Sequence, residues 1–339
     1  MKAYLKRLFQ GLPLSREEAR SAMESIMEGQ ASPEELAGFL GAIAARGETR
    51  HELVGCVEAM RSRALLFPVK RTDLIDVCGT GGDGADTFNV STANALLLAA
   101  SGLGVVKHGN RAVSSLSGSA DVLEELKIAI DGSPEQLVQN VEDFGFAFLF
   151  APMFHPAMRN IAPIRKALGV RTIFNLLGPL ANPAPVKKQV VGVFEQRLVQ
   201  LIAESMLDLG TEEGLVVWGE DGLDEISIAA LTQVARVHQG RVKYFKLAPE
   251  DFGLPRAPLA SIKGGSSETN ARIILDIFEG KKGPTRDVVV INAAAALVIA
   301  GRAKTWLEGA RLAESIIDSG KALGKVKELQ AQSLKEVKS

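Results

Sequence analysis

The chain has 339 residues, of which 46% are hydrophobic and 33 are glycines, a composition that excludes disordered, collagen-like and coiled-coil proteins. Because single cores tend to divide beyond about 250 residues, this length predicts two domains. Lys and Arg number 39 against 40 for Asp and Glu, and the net charge of −1 argues against a protein whose main task is to grip a nucleic-acid backbone.

The cysteines and the apolar runs predict the compartment. Cys56 and Cys78 form no CxxC pair and no metal-ligand cluster, which is typical of a reducing compartment and disfavours a structural zinc site. Residues 1–10 mix basic and apolar side chains, and no later stretch approaches the roughly 18 uninterrupted apolar residues of a membrane span. We therefore expect a cytoplasmic protein without a membrane partner.

Residues 1–71 are predicted to contain helices alone. Glu follows three residues after Ser15, Ser32 and Thr49, which is the spacing of a capping box at a helix N-terminus. Apolar residues recur at helical spacing behind these caps. Such short amphipathic helices need a packing partner, and we expect a bundle that packs on the rest of the chain or on another subunit.

From Leu74 onward, strand-like apolar runs alternate with helical segments, as in βαβ units on a mostly parallel sheet. Residues 236–247 predict a hairpin around Gln239 and Gly240. Three helical segments are expected from about Glu268, followed by a charged, solvated tail near residues 335–339. The strand-like runs are 74–77, 105–107, 146–150, 189–194 and 215–218.

Prolines interrupt this alternation between residues 152 and 186, where the pattern is helical. We expect this segment to join the N-terminal bundle. The predicted fold is α/β, with a small all-helical domain beside a larger domain built on a mostly parallel sheet. The helical domain takes residues 1–71 with 152–186, and the α/β domain takes 72–151 and 187–339.

A glycine-rich loop, residues 79–84, follows the first predicted strand. Asn89 is predicted to cap a helix that begins near Val90 and carries Ser91 and Thr92 in its first turn. Glycines let backbone N–H groups approach an anion closely, and a helix N-terminus adds partial positive charge. The loop therefore predicts a phosphate site.

Two other interpretations of this loop compete with the phosphate site. Gly79, Gly81 and Gly84 also satisfy G-x-G-x-x-G, the dinucleotide-binding pattern, which requires an acidic residue at the end of the second strand. That strand ends in Lys107 and His108 instead, which disfavours the pattern. An ordinary βα turn that binds nothing is the second alternative, and the convergence of glycines and hydroxyls makes it less favoured than a phosphate site.

The second strand leads into a further polar loop. Two cations and a serine cluster follow there, and they face the same crevice as the first loop if the two strands are neighbours. Two anion-binding loops suggest a ligand with two phosphate groups, although a solvated Ser/Gly-rich loop is an equal alternative. The loop comprises Lys107, His108, Gly109, Asn110 and Arg111, followed by Ser114, Ser115, Ser117 and Ser119.

Adjacent carboxylates follow the strand at 215–218, within residues 220–225. Mg²⁺ typically uses one or two carboxylates together with waters and substrate phosphates. Taken alone, this segment is more typical of a solvated Asp-Gly turn. Beside two phosphate loops, the metal interpretation is favoured.

In the order and spacing of its motifs, nearly the whole chain resembles the anthranilate phosphoribosyltransferase family. The matching segments are Gly79-Thr80-Gly81-Gly82-Asp83, Thr87-Phe88-Asn89-Val90-Ser91-Thr92, Lys107-His108-Gly109-Asn110-Arg111 with Ser114-Ser115, Gly118-Ser119-Ala120-Asp121, Ala162-Pro163-Ile164-Arg165, Asn175-Leu176-Leu177-Gly178-Pro179-Leu180 and Asp224-Glu225.

The resemblance implies the fold that this family shares with pyrimidine nucleoside phosphorylases, a homodimer built through the helical domains, and a Mg²⁺-dependent transfer between phosphoribosyl pyrophosphate and anthranilate. It implies Mg²⁺ ligands at Ser91, Asp224 and Glu225, and anthranilate contacts at Gly79, Asn110 and Arg165. The implied phosphoribosyl pyrophosphate contacts are Gly79, Gly82, Asp83, Thr87, Asn89, Val90, Ser91, Thr92, Lys107, His108, Gly109, Asn110, Arg111, Ala112, Val113, Ser114, Ser115 and Ser119.

Lys107 and Arg165 are the expected catalytic residues. Lys107 would stabilise charge on departing pyrophosphate, and Arg165 would pair with the substrate carboxylate. An aromatic amine is already neutral at pH 7, so no general base is expected. Two positions depart from the family pattern: Lys127 stands where Gly is usual, and Asn94 where Ala is usual.

Three other classes of protein stand as alternatives. A pyrimidine nucleoside phosphorylase would share the fold but would lack the segment around Arg165. A nucleic-acid-binding relative would need a basic stripe, which the charge balance does not favour. A dehydrogenase is disfavoured by Lys107 and His108.

Overall fold

A computed structural model describes residues 1–112 and 116–336. The chain begins with four helices, and each of the three predicted capping boxes is confirmed. The side chains of Ser15, Ser32 and Thr49 accept the backbone N–H of a Glu three residues on, whose carboxylate accepts the N–H of the cap residue. These helices are α1 (Lys2–Phe9), α2 (Arg16–Met27), α3 (Pro33–Arg46) and α4 (Arg50–Ser62).

The described residues form a seven-stranded sheet of order β3-β2-β1-β4-β5-β6-β7. The first five strands are parallel, and β6 and β7 are antiparallel additions at one edge. The strand order reverses between β1 and β4, so the crevice for a ligand is expected where these two strands end. The strands are β1 (Leu74–Gly79), β2 (Gly104–Gly109), β3 (Phe146–Phe150), β4 (Lys188–Gly192), β5 (Glu213–Gly219), β6 (Thr232–His238) and β7 (Arg241–Leu247).

Helices cover both faces of the sheet. One face packs on α5 and α13, which are buried along most of their length. The other face shares a core with α11 and with the N-terminal bundle. The remaining helices are α5 (Val90–Ala100), α6 (Ser119–Glu125), α7 (Pro134–Phe144), α8 (Ala151–Phe154), α9 (Met158–Leu168), α10 (Phe174–Leu180), α11 (Arg197–Asp208), α12 (Ser267–Phe278), α13 (Pro284–Ile299), α14 (Trp306–Asp318) and α15 (Lys321–Glu336).

The helical segment between β3 and β4 packs against the bundle. Ile161 of α9 and Phe174 and Leu177 of α10 share one buried cluster with residues of α2, α3 and α4. Apolar residues at helical spacing along 152–186 thus find their partners in the N-terminal helices. The exact division of the chain into domains stays a prediction.

Three expectations for the C-terminal half need correction. The predicted hairpin is confirmed, with φ of 49° at Gln239 and 72° at Gly240, but its first strand begins earlier, at Thr232. Within the described residues after 266, four helices are present rather than three. Lys335 is exposed as expected, but it lies in the last turn of α15, a helix that buries Val326 and Leu329, rather than in a tail; residues 337–339 lie outside the described ranges.

Two smaller points concern strand ends and membrane spans. The strand expected at 189–194 ends at Gly192, two residues early, and the loop after β5 packs directly against Gly192. In the described ranges, no helix combines the length and the apolar character needed to cross a membrane.

Candidate active site

The site is built where β1 and β4 end and the β5 loop crosses them. A Cβ atom on Gly79 would lie 2.3 Å from Asp224 Oδ2, and one on Gly192 would lie 1.5 Å from the Asp224 carbonyl oxygen. Both strands must therefore end in glycine for the acidic loop to reach the crevice. Asp224 Oδ2 also accepts the Gly81 N–H at 2.8 Å, which ties the acidic loop to the first glycine-rich loop.

The predicted metal-binding carboxylates, Asp224 and Glu225, lie at this point, and the pKa of each is raised. Burial, with the nearby Asp83 carboxylate, raises the pKa of Asp224 to about 7. Burial and then the Asp224 charge raise the pKa of Glu225 well above its usual value. Asp83 Oδ2 in turn accepts the Asp224 N–H at 3.4 Å. The cluster therefore carries less negative charge at pH 7 than its three carboxylates would in water.

Lys107 supplies the cation of this cluster. It is 1% exposed, and its Nζ donates to the Val77 carbonyl at 2.7 Å and to Ser91 Oγ at 3.1 Å. The positive charge of Lys107 and the backbone N–H of Ser91 both oppose the rise in the pKa of Glu225. Lys107 therefore lies between β1 and the first turn of α5, where its charge acts on Glu225 of the acidic pair.

The donor set fits a magnesium ion that binds together with a phosphate ligand. Among residues 1–112 and 116–336, no three His, Cys, Asp or Glu side chains converge as a complete metal cage. Ser91, Asp224 and Glu225 offer a hydroxyl and two carboxylates, and Mg²⁺ usually takes its other ligands from water and substrate phosphates. The carboxylates with raised pKa values fit this role, because a divalent cation would stabilise their ionised forms.

Asn89 is the N-cap residue of α5, which begins at Val90 as predicted, but its side chain forms no capping hydrogen bond. Asn89 Oδ1 accepts the Asn270 amide at 2.8 Å, and Asn89 Nδ2 donates to the Ser117 carbonyl at 3.2 Å. The side chain instead joins the start of α5 to α12 and to the loop before α6. Asn270 is a site residue that sequence reasoning missed, since no motif marks a contact 181 residues away.

The other predicted residues of this loop surround the start of α5. Thr87 forms an isolated bridge with Lys263, and Val90 is buried in the first turn. Thr92 is fully buried, and within the described chain its Oγ1 has no hydrogen-bond partner. Gly82 has a φ of 77°, in the left-handed region that favours glycine.

The second loop lies beside the first, since β1 and β2 are parallel neighbours and the condition set for a shared crevice is met. Arg111 turns away from the crevice: it pairs with Asp121 and Glu124 and lies 5.7 Å from the Phe150 ring centre. Asp121 Oδ2 accepts the Ala112 N–H at 3.0 Å. The Arg111 side chain and the Ala112 N–H are thus already paired, and an anion contact from either would need rearrangement. Val113, Ser114 and Ser115 lie outside the described residues.

Three further residues of this loop are placed around the end of β2. Asn110 is exposed, and its Oδ1 accepts the Arg111 N–H at 2.8 Å. A Cβ on Gly109 would lie 2.8 Å from the Phe148 ring and 3.5 Å from Ser119, the first residue of α6. The absence of a side chain at 109 therefore leaves room for the Phe148 ring of β3.

His108 points away from the phosphate loops, towards α10. Its Nδ1 lies 3.0 Å from the Gly178 carbonyl, so Nδ1 carries the hydrogen. Burial, with the neighbouring His155 and Arg61, lowers the pKa of His108 to about 3. The ring is therefore neutral at pH 7, and it is unsuited to act as a cationic acid there.

Arg165 lies on α9, which packs against the N-terminal bundle. Its guanidinium stands over the Phe174 ring at 5.2 Å, and among the described residues it forms no ion pair. Burial lowers its pKa, but from a value so high that it stays charged. A half-buried cation beside an aromatic ring suits a small aromatic acid.

Sequence reasoning missed Arg171, which connects the two sides of the crevice. Its Nη2 donates to the Gly82 carbonyl, and its guanidinium lies 4.0 Å from the Phe194 ring centre. Gly82 belongs to the first glycine-rich loop, whereas Arg171 lies in the connection between α9 and α10. A lone basic residue in a loop gives no sequence signal for such a contact.

Two family models that match this chain define the class of protein to which it belongs. A profile described as "Glycosyl transferase family, a/b domain" matches residues 71–323, and one described as "Glycosyl transferase family, helical bundle domain" matches residues 2–64. A helical bundle beside a mostly parallel sheet, with polar loops at the switch point, is thus the architecture of a two-domain glycosyl transferase.

Individual relatives narrow this class. Anthranilate phosphoribosyltransferases of Clostridium kluyveri and Symbiobacterium thermophilum are 48% and 47% identical, over 96% and 95% of this chain and 97% and 94% of theirs. The crystal structure of the Thermus thermophilus enzyme matches with a TM-score of 0.91 and 44% identity, covering 96% of this chain and 98% of that one. The chain belongs to the anthranilate phosphoribosyltransferase family.

A more distant structure shows ligands. The Saccharomyces cerevisiae anthranilate phosphoribosyltransferase, solved in complex with phosphoribosyl pyrophosphate and Mg, matches with a TM-score of 0.90 at 30% identity. The match covers 98% of this chain and 97% of the yeast chain. The fold and the family expected from the sequence are confirmed.

Proposed function

We propose that this chain transfers the phosphoribosyl group of phosphoribosyl pyrophosphate to the amino group of anthranilate. The products are N-(5-phosphoribosyl)anthranilate and pyrophosphate, in tryptophan biosynthesis. The observation that carries the proposal is the convergence of the first glycine-rich loop, a buried lysine and an acidic pair at the ends of β1 and β4. Arg165 on α9 adds a cation that lacks a carboxylate partner within the described residues.

The sheet side is assigned to phosphoribosyl pyrophosphate. Backbone N–H groups of the first glycine-rich loop and of the first turn of α5 would donate to phosphate oxygens. Ser91, Asp224 and Glu225 would hold Mg²⁺, which neutralises pyrophosphate charge when bound. Lys107 needs no large movement for its role, because its Nζ already lies 3.1 Å from Ser91 Oγ.

The helical side is assigned to anthranilate. Arg165 would pair with the carboxylate through two parallel N–H bonds, while Gly79 and Asn110 border the amine. The amino nitrogen forms a bond to ribose C1 as the bond from C1 to the pyrophosphate oxygen breaks, and the nitrogen then releases one proton to solvent. The nitrogen is neutral before attack, so no side chain has to deprotonate it first.

Closure of the crevice would align the two substrates and exclude water that would hydrolyse the activated sugar. Helices α9 and α10 reach the crevice from the bundle, which supports assigning residues 152–186 to the helical domain. A homodimer through the helical domains, a cytoplasmic location and the lack of a nucleic-acid partner stay predictions.

The test is a direct transfer assay. Purified protein is mixed with Mg²⁺, phosphoribosyl pyrophosphate and anthranilate, and the loss of anthranilate fluorescence is followed together with pyrophosphate release. We expect equal amounts of both and no reaction in excess EDTA. No transfer, with uridine and phosphate converted to uracil and ribose 1-phosphate instead, would assign the chain to the nucleoside phosphorylases that share this fold.

A further inference from the structure

The C-terminal turn of α10 is held by side chains from four other segments. Its carbonyl groups from Gly178 to Ala181 each lie within hydrogen-bond distance of a side-chain nitrogen. The four contacts are His108 Nδ1 to Gly178 O at 3.0 Å, Gln189 Nε2 to Pro179 O at 2.6 Å, Arg61 Nε to Leu180 O at 2.8 Å and His155 Nε2 to Ala181 O at 3.0 Å. We call this set of contacts the α10 node.

The α10 node supplies hydrogen-bond donors to carbonyl groups at the C-terminus of a helix. The last carbonyls of a helix have no partner within the helix, and many helices meet them with a left-handed glycine cap or with water. The C-cap of α10 is Ala181, with a φ of −94°, so no left-handed glycine caps this helix. Side chains provide the donors instead, and the charge of Arg61 also suits the partial negative charge of a helix C-terminus.

The donors of the α10 node come from both sides of the crevice. Arg61 lies at the end of α4 in the bundle, whereas His108 and Gln189 lie in β2 and β4 of the sheet. Gln189 Nε2 also lies 3.2 Å from Asp76 Oδ2 in β1, a carboxylate that accepts the Asn182 amide at 2.9 Å. The segment that returns from α10 to the sheet is thus fixed beneath β1 and β2.

Both ends of α10 touch residues of the candidate site. Its first residue, Phe174, lies beneath the Arg165 guanidinium, and its last turn meets His108, two residues before Asn110. A rotation or slide of α10 would therefore change the distance between Arg165 and the loop after β2. Neither contact involves the first glycine-rich loop or the acidic pair.

We propose that Gln189 and Arg61 are positioning residues for the aromatic acid: by holding the C-terminal turn of α10, they set the separation between Arg165 and the end of β2. The inference rests on the proposed function. It assigns the two residues an effect on anthranilate that differs from their effect on phosphoribosyl pyrophosphate, whereas general weakening of the fold would affect both substrates.

Gln189→Met tests the proposal at β4, since it keeps the length of the side chain and removes both N–H donors. We expect the anthranilate KM to rise at least fivefold, with the phosphoribosyl pyrophosphate KM changed less than twofold. Gln200→Met is the matched control, because Gln200 is exposed on α11 and its amide binds only Glu204 among the described residues. Both KM values should stay unchanged in that variant.

Arg61 gives a second test that does not depend on how Gln189→Met folds. Arg61→Met should raise the anthranilate KM selectively, and Arg61→Lys, which keeps a cationic donor, should restore at least half of the loss. Equal rises in both KM values, or no rescue by Lys, would overturn the positioning role. A wild-type protein without transferase activity would instead overturn the proposed function. An active wild type, with variants whose anthranilate KM is unchanged, would overturn only the positioning role of Gln189 and Arg61.

Discussion

The guanidinium of Arg165 stands over an aromatic ring rather than beside a carboxylate. A half-buried cation is normally paired, so an arginine without a carboxylate partner in the described chain has charge available for a ligand. The sequence alone would make this residue a surface charge on a helix. Its assignment depended on the family resemblance, and the structure adds the physical reason.

Arg165→Ala should raise the anthranilate KM about 10- to 100-fold, because a charge-assisted pair contributes about 1.5–3 kcal/mol. The phosphoribosyl pyrophosphate KM should change little. Arg159→Ala, an exposed arginine on the same helix, is the control and should leave both constants unchanged. Steady-state kinetics with each substrate varied in turn make the comparison, and equal rises in both constants would refute the assignment.

The acidic pair predicts a pH dependence. The folded pKa of Asp224, about 7, is higher than that of an unfolded Asp, so ionisation of this group destabilises the metal-free protein as the pH rises from about 4 through 7. Mg²⁺ and phosphoribosyl pyrophosphate should therefore bind with proton release near pH 7, and more tightly at pH 8 than at pH 6.

Titration calorimetry at pH 7 in two buffers of different ionisation heat measures the released protons. Asp224→Asn combined with Glu225→Gln should abolish the proton release and the activation of the transfer by Mg²⁺. The control is Glu220→Gln, which removes another carboxylate of the loop after β5, one that is paired with Lys246. This variant should keep both the proton release and the Mg²⁺ dependence. Unchanged Mg²⁺ dependence in the double variant would contradict the metal site.

At the scale of elements, the helix N-termini could be predicted where their caps depend on neighbouring residues alone. The capping boxes at Ser15, Ser32 and Thr49 formed because each needs only residues within one helical turn. Asn89 also has the right chemistry for a cap, but the distant Asn270 competes for its side chain. Contacts of this kind, like that of Arg171 with Gly82, depend on tertiary packing and leave no local pattern.

Lys127 tests whether a left-handed residue strains the end of α6. It has a φ of 60°, and the chain closes the end of α6 through Lys127 N–H to Glu124 O and Ile128 N–H to Leu123 O, both at 2.9 Å. Lys127→Gly should stabilise the protein by about 1 kcal/mol, because a left-handed conformation is strained for a residue with a Cβ.

The same substitution in a regular helix gives the control. Lys327→Gly, at an exposed position inside α15, should destabilise the protein by about 1 kcal/mol. The midpoints of urea unfolding should therefore move in opposite directions. A lower midpoint for Lys127→Gly would show that the lysine side chain has a compensating contact.

At the scale of the whole molecule, the sequence pattern predicted a mostly parallel sheet and an N-terminal bundle, because strand and helix periodicities are properties of the chain itself. The neighbouring positions of β1 and β2 could be stated only as a condition, since strand order arises from packing. The α10 node was beyond prediction for the same reason: its donors come from residues 61, 108, 155 and 189.

The homodimer is the prediction that belongs to this scale. Phe9 and Leu12 of the N-terminal bundle are 69% and 46% exposed, and large apolar side chains at such exposure favour a subunit contact. Sedimentation equilibrium should give twice the 36.1 kDa of one chain. Phe9→Glu should weaken the dimer, whereas Leu334→Glu, at a 62% exposed residue of α15, should not; a monomeric wild type would contradict the prediction.

The most direct measurement for the account as a whole is a crystal structure of the protein with phosphoribosyl pyrophosphate and Mg²⁺. We expect pyrophosphate density against the N–H groups of residues 79–83 and near Lys107, with Mg²⁺ bound by Ser91 and the pair Asp224 and Glu225. Density for the sugar diphosphate at any other surface, with the glycine-rich loop free of ligand at saturating concentration, would contradict the account.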